Sequence, residues 1–237
     1  MNKWTKIVQY VRTGCKFLFN DLCQICYQTN KCHAEICKQC YSWLPWLRHS
    51  CHVCAYPIGS ENQVCIQCLE RPLAGCDAVK ALFRYESPIK QYVYQLKYHQ
   101  KLQVARFFAQ LLATHLEPGK RIDAILPVPL AKDRLKSRGY NQSLEVAKLL
   151  AKQLNIPCYP AALVKLRVTK QQSDLNKHQR MTNLTPRDFN LVYKLQGKNV
   201  LLIDDVFTTG RTMQCIAMAL KSHGICYVEA WAICRSI

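Results

Sequence analysis

The sequence predicts an α/β domain with a parallel sheet, preceded by a small module rich in cysteine. Two observations predict the sheet: short apolar segments alternate with segments of helical periodicity after residue 77, and the apolar segments run into polar loops. A regular spacing of cysteines predicts the module. A chain of 237 residues has room for one domain of ordinary size and one such module.

The elements of the α/β domain follow one another to the end of the chain. Helices are predicted within 88–115, where Ser87-Pro88 is expected to begin the first, at 143–154 and at 209–223, which Gly224 ends. Buried strands are predicted at 123–129 and 200–206, and further strands at 162–168 and 226–233. The whole chain is thereby divided into an amphipathic segment (1–20), a double cysteine module (21–72) and the α/β domain (77–237).

The chain is strongly basic, and the charge is concentrated in its middle. The formal net charge is +18, and residues 80–180 carry 19 Lys and Arg against six Asp and Glu. Such a field attracts nucleic acid, phosphorylated ligands or an anionic membrane surface, whereas a merely solvated basic face is the alternative. A composition of 49% hydrophobic and 20% charged residues excludes a disordered chain.

No segment of the sequence predicts export or a membrane span. The apolar runs are shorter than the roughly 18 residues of a transmembrane helix, and none near the N-terminus has the form of a secretory signal. We therefore expect a cytoplasmic protein with no transmembrane segment. The apolar residues within 1–20 have helical spacing, which predicts a helix packed on its own protein or, alternatively, on a membrane surface.

Eight of the 15 cysteines form four Cys-x2-Cys pairs separated by gaps of ten residues. The pairs are Cys23 and Cys26, Cys37 and Cys40, Cys51 and Cys54, and Cys65 and Cys68. Two such pairs supply one closed tetrahedral site, so four predict two structural Zn²⁺ sites. Disulfides, which suit secreted scaffolds, and an iron–sulfur cluster, which usually has other spacings, are the alternatives. Grouping of consecutive pairs costs the least loop entropy, but a cross-braced grouping also fits the spacing.

The stretch VLLIDDVFTTGRT, residues 200–212, carries the clearest functional signal. Asp204 and Asp205 stand at the end of a predicted strand. The next residues are expected to open a helix whose free N–H groups favour a phosphate; they are Thr208, Thr209, Gly210, Arg211 and Thr212. Two carboxylates would repel that phosphate unless they bind sugar hydroxyls or Mg²⁺. A phosphorylated sugar with a diol is therefore the predicted ligand, and an acidic strand end before a capped helix is the alternative.

This stretch resembles the phosphoribosyl-pyrophosphate (PRPP) motif of type I phosphoribosyltransferases, and the wider chain resembles the competence protein F family. The motifs that carry the wider resemblance are, in order, the cysteine pairs, YESPIKQYVYQLKY (85–98), PVPLAKDRLKSRGYNQS (127–143), RVTKQQSDLNKHQRMTN (167–183) and the PRPP loop. They cover the chain from about residue 20 to its end. The resemblance implies a type I phosphoribosyltransferase fold behind an N-terminal double zinc ribbon.

The resemblance also implies roles for individual residues. Asp204 and Asp205 would hold the ribose 2′- and 3′-hydroxyls, and the loop 208–212 would cradle the 5′-phosphate of PRPP, which is bound with Mg²⁺. The pyrophosphate side would comprise Val128, Pro129, Arg134 and Arg138, and a mobile loop would contain Arg167, Gln172, Arg180 and Asn183. Enzymes of this class displace pyrophosphate from the ribose with a nucleophile, which the sequence does not identify.

The family resemblance implies a role in natural transformation, the uptake and handling of single-stranded DNA. A competence helicase and recombinase-loading proteins would be partners there. Aromatic and basic residues that interleave on one segment are predicted to contact the DNA: Lys90, Tyr94, Lys97, Tyr98 and Lys101. Helix packing is the alternative role for these tyrosines. The alternative function is a phosphoribosyltransferase that acts on an unidentified acceptor and has no direct role in DNA handling.

Overall fold

The structure is a computed structural model, which describes residues 22–28, 32–33, 36–59, 63–166 and 184–237. The chain divides into two compact units, Met1–Leu44 and Pro45–Ile237. The first two cysteine pairs therefore belong to the smaller unit and the last two to the larger. The predicted helix within 1–20 and the predicted mobile loop with Arg167, Gln172, Arg180 and Asn183 lie outside the described residues.

The described part of the smaller unit is built around its cysteines. Strands β1 (Cys32–His33) and β2 (Ile36–Cys37) pair antiparallel, and helix α1 (Lys38–Trp43) follows directly. The Sγ of Cys37 accepts a hydrogen bond from the N–H of Cys40 and so caps this helix. One helical turn thus places the fourth cysteine beside the third.

A parallel sheet of four strands forms the centre of the larger unit. The strands are β3 (Ala78–Arg84), β4 (Ala124–Pro127), β7 (Asn199–Phe207) and β8 (Tyr227–Arg235). Their order in the sheet is β3–β8–β7–β4. β8 is buried along all nine residues, as expected of a central strand covered on both faces. Two short strands outside this sheet, β5 (Leu163–Lys165) and β6 (Phe189–Leu191), pair antiparallel.

Helices cover the sheet and place polar residues at the carboxyl ends of its strands. They are α2 (Ile66–Glu70), α3 (Ile89–Tyr98), α4 (Leu102–His115), α5 (Lys132–Arg138), α6 (Gln142–Leu154) and α7 (Arg211–Ser222). α4 and α6 pack on each other, and α6 also contacts β4 and β7. α7 packs against β8 and β6. In the described part of the chain, no helix has the length and apolarity that crossing a membrane requires.

The second group of cysteines is part of the core of the larger unit. Cys51, Cys54, Cys65 and Cys68 belong to the same buried cluster as alternate residues of the sheet strands and the inner side of α7. The segment that precedes them runs along β3, where Leu47 N–H donates to Leu82 O at 2.8 Å and Arg84 N–H donates to Pro45 O at 2.8 Å. This group therefore rests directly on the sheet.

The predicted α/β class is confirmed, but the sequence missed several elements. β3 was not predicted, and neither was α5, which has no buried residue and hence no apolar periodicity. The first helix begins at Ile89, with Pro88 as its cap, because the Ser87 hydroxyl bonds the Gln91 side chain at 2.9 Å and not a backbone N–H. The predicted 88–115 region comprises two helices, α3 and α4.

Candidate functional site

The two adjacent carboxylates lie near the carboxyl end of β7, where the sequence predicted them. Asp204 is half-buried and Asp205 is buried. Asp204 Oδ1 accepts hydrogen bonds from the Ser143 hydroxyl at 3.0 Å and from the N–H of Asp205 at 2.8 Å. Burial and the neighbouring Asp205 carboxylate raise the pKa of Asp204 to about 7. The acid pair, Asp204 and Asp205, thus holds one carboxyl group that gains or loses its proton near neutral pH.

Asp205 is held by two side chains from helices that come earlier in the chain. Lys97 Nζ, from the last turn of α3, lies 3.0 Å from Asp205 Oδ1. Gln142 Nε2, from the first turn of α6, donates to Asp205 Oδ2 at 2.6 Å. The Gln142 side-chain oxygen in turn accepts a hydrogen bond from Arg138 at 3.0 Å. Both oxygens of the carboxylate are therefore fixed in direction.

The start of α6 brings these partners to the acid pair. Asn141 caps the helix, since its Oδ1 accepts from the N–H of Ser143 at 3.0 Å. Its Nδ2 donates to the carbonyl of Val128 at 2.9 Å, which ties the helix start to the loop after β4. This single capping residue orients Gln142 and Ser143 toward the end of β7.

Residues 208–212, which we call the phosphate loop after the role that the sequence predicts for them, lead from β7 into α7. Thr208 and Thr209 are exposed, and Gly210 is the N-cap of the helix with φ of +78°. A Cβ at Gly210 would lie 2.7 Å from Cζ of Phe207 and 2.8 Å from Cδ1 of Leu73, so the turn needs glycine for conformation and for space. The N–H of Arg211 donates to the Thr209 hydroxyl at 3.4 Å, and the other N–H groups at the start of an α-helix have no partner within the helix.

Of the residues predicted for the pyrophosphate side and the phosphate loop, the arginines differ in what they contact. Arg138 reaches it through Gln142 and lies over the Tyr98 ring, with 5.2 Å from Cζ to the ring centroid. Val128 is buried and Pro129 is partly exposed in the loop after β4, whereas Arg134 is on the exposed side of α5. Arg211 donates from Nε to the carbonyl of Leu184 at 3.0 Å.

The residues predicted to contact DNA are divided between the surface and the site. Tyr94 and Tyr98 are 55% and 56% exposed and lie one turn apart on α3, with ring centroids 4.8 Å from each other. Lys90 and Lys101 are also exposed. Lys97 instead turns inward to Asp205. Tyr92, on another face of α3, packs on Phe107 with ring centroids 5.8 Å apart.

The eight paired cysteines form two groups in sequential order. The first group is Cys23, Cys26, Cys37 and Cys40, and the second is Cys51, Cys54, Cys65 and Cys68. In each group the four Sγ atoms lie within 4.8 Å of one another. The Cys26–Cys37 and Cys54–Cys65 Sγ distances are 3.8 Å and 3.6 Å. Four sulfurs about 2.3 Å from a tetrahedral Zn²⁺ would be about 3.8 Å apart, so the donor sets fit this ion.

Hydrogen bonds from backbone N–H groups stabilise the thiolate form of one cysteine in each group. Burial alone would raise the pKa of Cys23, but hydrogen bonds from the N–H groups of Cys37 and Ile25, both at 3.4 Å, contribute to lowering it to about 6. Burial is likewise outweighed at Cys51, where backbone hydrogen bonds lower the pKa to about 7. Every cysteine whose side chain the structure describes is a free thiol.

Sequence comparison shows which proteins share this arrangement. The model of the phosphoribosyl transferase domain matches residues 140–236, which include Gln142, Ser143, the acid pair and the phosphate loop. The DNA utilization protein YhgH of Salmonella typhi is 30% identical over 211 residues, which cover 86% of this chain and 92% of that protein. The chain belongs to the competence protein F family. Competence protein F of Haemophilus influenzae is 27% identical and covers 85% of this chain and 90% of its own length.

A third relative spans both units of the chain. Competence protein ComFC of Bacillus subtilis is 24% identical over 235 residues, which cover 98% of this chain and 85% of that protein. With the matched domain, the parallel sheet and its flanking helices identify the fold as that of the type I phosphoribosyltransferases. The family resemblance and the fold class predicted from the sequence are thus confirmed.

Asn141, Gln142 and Ser143 lie in the stretch 127–143, but the sequence predicted no role for them. Gly139, in the left-handed conformation, ends α5, and these polar residues begin α6 shortly after it. Asn before a periodic apolar segment is a helix-start signal that the sequence does contain. What the sequence does not contain is the meeting of Gln142 with a carboxylate 63 positions later.

Proposed function

We propose that this protein binds PRPP with Mg²⁺ between the acid pair and the phosphate loop, and that it handles single-stranded DNA in the cytoplasm during natural transformation. The observation that carries the first part is the acid pair, fixed by Gln142 and Lys97 directly before a glycine-capped helix start. Membership of the competence protein F family supports the second part. A competence helicase and recombinase-loading proteins are the partners that this role implies.

In this proposal the residues of the site bind and orient the ribose phosphate. The carboxylates of Asp204 and Asp205 accept hydrogen bonds from the two ribose hydroxyls, and the N–H groups of residues 208–212 donate to the 5′-phosphate. The loop from Val128 to Arg138 faces the diphosphate, for which Arg138 supplies positive charge. Mg²⁺ bound with PRPP would neutralise part of the charge of the diphosphate. Lys97 and Gln142 hold the Asp205 carboxylate in place, so that little ordering remains for the ligand to impose.

Calorimetric titration of Mg²⁺-PRPP tests the ligand assignment. We expect wild-type protein to bind and an Asp204→Asn/Asp205→Asn variant to lose binding, because amides cannot replace both carboxylates at a diol or a cation. Glu70→Gln/Glu117→Gln is the matched control, since it removes two negative charges from exposed positions. Equal affinity in the wild type and the acid-pair variant, with both proteins folded, would refute the assignment.

The affinity for Mg²⁺-PRPP should depend on pH through Asp204. Its pKa in the folded protein, about 7, lies above the roughly 3.9 of an unfolded Asp, so ionisation of Asp204 opposes folding as pH rises through this interval. Because the ligand needs the carboxylate, binding releases a proton below pH 7. We expect affinity to rise by up to about tenfold per pH unit below pH 7 and to level off above it. Titrations in buffers of different ionisation heat measure the released protons, and none at pH 6 would contradict the shift.

Catalysis is the second candidate function. A bound ribose phosphate held at both ends is positioned for displacement of pyrophosphate by an acceptor, and type I phosphoribosyltransferases share the fold. Release of pyrophosphate from PRPP in the presence of candidate acceptors measures this activity. If DNA affinity is absent while acceptor-dependent release is present and lost in the acid-pair variant, the protein is a phosphoribosyltransferase without a direct role in DNA handling.

The exposed tyrosines of α3 support contact with single-stranded DNA. Tyr94 and Tyr98 are 55% and 56% exposed on α3, which also carries the exposed Lys90, and stacking on such rings contributes about 1–3 kcal/mol per base. We expect Tyr98→Ala to weaken binding of a fluorescent oligothymidine about five- to 150-fold in an anisotropy titration. We also expect wild-type protein to bind this DNA more weakly as the salt concentration rises. Tyr193→Ala is the control, because it removes a tyrosine of similar exposure, 49% against 56% for Tyr98. Identical affinities of the two variants would exclude this surface.

Zn²⁺ is the ion that we propose for both cysteine groups. The tetrahedral spacing of the Sγ atoms and the all-thiolate donor sets support this assignment. Native mass spectrometry should find two zinc ions per chain. A single ion, or iron with acid-labile sulfide, would contradict it.

A further inference from the structure

Arg235, the last residue of β8, has a buried guanidinium group that is held by backbone carbonyls. Its Nε donates to the carbonyl of Cys54 at 3.1 Å, and its Nη1 donates to the carbonyl of Phe207 at 3.2 Å. Nη1 also contacts the carbonyls of Thr208 and Ser236. One side chain therefore connects the second cysteine group to the point where β7 becomes the phosphate loop.

Two aromatic rings enclose the same guanidinium group. Its Cζ lies 5.6 Å from the ring centroid of Tyr56 and 5.2 Å from that of Phe207. Tyr56 follows Cys54 by two positions, and Phe207 is the last residue of β7. The cysteine segment thus supplies one carbonyl and one ring to Arg235, and the loop segment supplies two carbonyls and one ring.

The charge of Arg235 is balanced in an uncommon way. The side chain is 7% exposed, and in the described part of the chain no salt bridge includes it. A buried cation is costly unless hydrogen bonds compensate for its lost hydration, and here the compensation comes from carbonyls of two separate segments. If either segment moved away, the guanidinium would lose part of that compensation, so the group resists their separation. It also places a positive charge next to a loop that faces an anion.

A second contact joins the same two regions. Leu73, which follows α2 and the last cysteine of the second group, lies against Gly210, where a Cβ would be 2.8 Å from Leu73 Cδ1. Phe207 and Met213, on either side of the loop, belong to the buried cluster that contains the four cysteines. The loop therefore rests on the cysteine segment through both polar and apolar contacts.

We propose that Arg235 is a positioning residue that fixes the phosphate loop to the second cysteine group, so that metal in this group orders the loop for its phosphorylated ligand. With a metal bound, Cys54 and its carbonyl would be held in place. Arg235 links that carbonyl to those of Phe207 and Thr208, so the N–H groups of the loop would face the phosphate in a fixed direction. The ligand part of this inference rests on the proposed function, whereas the ordering of the loop does not.

Amide hydrogen exchange of the zinc-loaded protein tests the ordering. We expect Arg235→Met to speed exchange of the peptide that contains residues 207–213 by tenfold or more, without a comparable change in α4. Arg84→Met is the matched control, because Arg84 pairs with Arg235 in register on β3 but has a side chain that is 45% exposed beside Glu86. Exchange at the wild-type rate in folded Arg235→Met protein with two bound metals would overturn the proposal.

A milder variant and a metal series cover the case in which Arg235→Met does not fold. Arg235→Lys keeps the charge but has no planar guanidinium to bond several carbonyls, so the loop should exchange at a rate between those of wild type and Arg235→Met. In wild-type protein, stepwise removal of zinc should speed loop exchange in proportion to the fraction of the second group that has lost its metal. If both the lysine variant and the metal-depleted protein show wild-type exchange, the connection does not exist.

The ligand titration separates this inference from the proposed function. We expect Mg²⁺-PRPP to bind Arg235→Met at least tenfold more weakly than wild type and Arg84→Met with unchanged affinity. If wild type does not bind Mg²⁺-PRPP, the proposed function fails, and the hydrogen-exchange data still test whether Arg235 orders the phosphate loop. If wild type binds and Arg235→Met binds equally well, the proposed function stands and the inference about the ligand fails.

Discussion

The two cysteine groups have nearly the same local structure, 28 positions apart in the chain. In each, the residue after the first pair adopts a left-handed conformation: Tyr27 has φ of 58° and Ala55 has φ of 53°. In each, a short helix begins right after the third cysteine, Cys37 or Cys65, whose backbone ψ is 155° in both. The spacing of the cysteines therefore determines the same turn and the same helix start twice.

The surroundings of the two groups differ. In the first group Cys26 is exposed and Cys40 is half-buried, whereas all four cysteines of the second group are buried. The second group shares a buried cluster with the sheet, and Arg235 binds one of its carbonyls from 181 positions away. A local motif can therefore arrange four cysteines to fit a metal ion, whereas contacts from distant residues decide whether the group becomes part of a domain core.

The largest expected effect is a difference between the two cysteine groups in how much each stabilises the larger unit. We expect Cys65→Ser to lower the free energy of unfolding of the larger unit by more than about 4 kcal/mol, because loss of a structural metal also disrupts the core around it. Cys37→Ser, at the equivalent position, should change it by less than about 0.5 kcal/mol. Calorimetric melting with zinc analysis measures both. Equal shifts of the main transition would mean that the groups are equivalent after all.

A smaller effect should follow from the contact between the second group and the phosphate loop. Gly210→Ala forces a left-handed conformation on alanine and pushes its Cβ against Leu73 and Phe207, so we expect a loss of about 1–3 kcal/mol. Denaturant unfolding measures the loss. Gly197→Ala is the control, because Gly197 has a similar φ of +74° but nothing within 4 Å of an added Cβ. If the two variants lose equal stability, Leu73 and Phe207 do not restrict the loop.

The smallest effect should appear at the left-handed residues themselves. A glycine at a left-handed position relieves about 1–2 kcal/mol of backbone strain, but part of this gain is lost because glycine has more conformational entropy in the unfolded chain. Tyr27→Gly should therefore stabilise the first group by about 0.5–1 kcal/mol. Ala55→Gly should be close to neutral, because Ala55 is fully buried and the variant loses the packing of its methyl group. Competition with a zinc chelator measures the first and unfolding the second. A clear gain at Ala55 would show that its methyl group contributes nothing.

The parts of this protein that the sequence predicted are those with a local signal. Cysteine spacing predicted two metal groups, although it left their pairing open until the Sγ positions showed consecutive pairs. The apolar run before Asp204 predicted a strand followed by a turn into a helix, which are β7, the loop 208–210 and α7. On α3, Val93 and Leu96 are buried while Tyr94 and Tyr98, four positions apart, share the exposed face. That spacing was visible in the sequence and distinguishes these tyrosines from Tyr92.

The parts that the sequence did not predict depend on contacts across long stretches of chain. Lys97 was assigned to DNA, but its ammonium group lies on Asp205, 108 positions later. Arg235 received no role because nothing near it in the sequence indicates that the carbonyls of Cys54 and Phe207 converge on it. Such convergence follows from the strand order β3–β8–β7, and hydrophobic periodicity carries no information about strand order.

The exposure of Cys26 has a consequence for how fast the two groups would exchange their ions. An incoming chelator or an oxidant can attack a sulfur that solvent already reaches, so the first group should lose its metal in a simple encounter. In the second group the same attack must wait until the core opens locally, which makes its half-life that of an opening event. In one chain, a metal ion in the first group would exchange readily with ions in solution, whereas an ion in the second group would stay bound until the core opens.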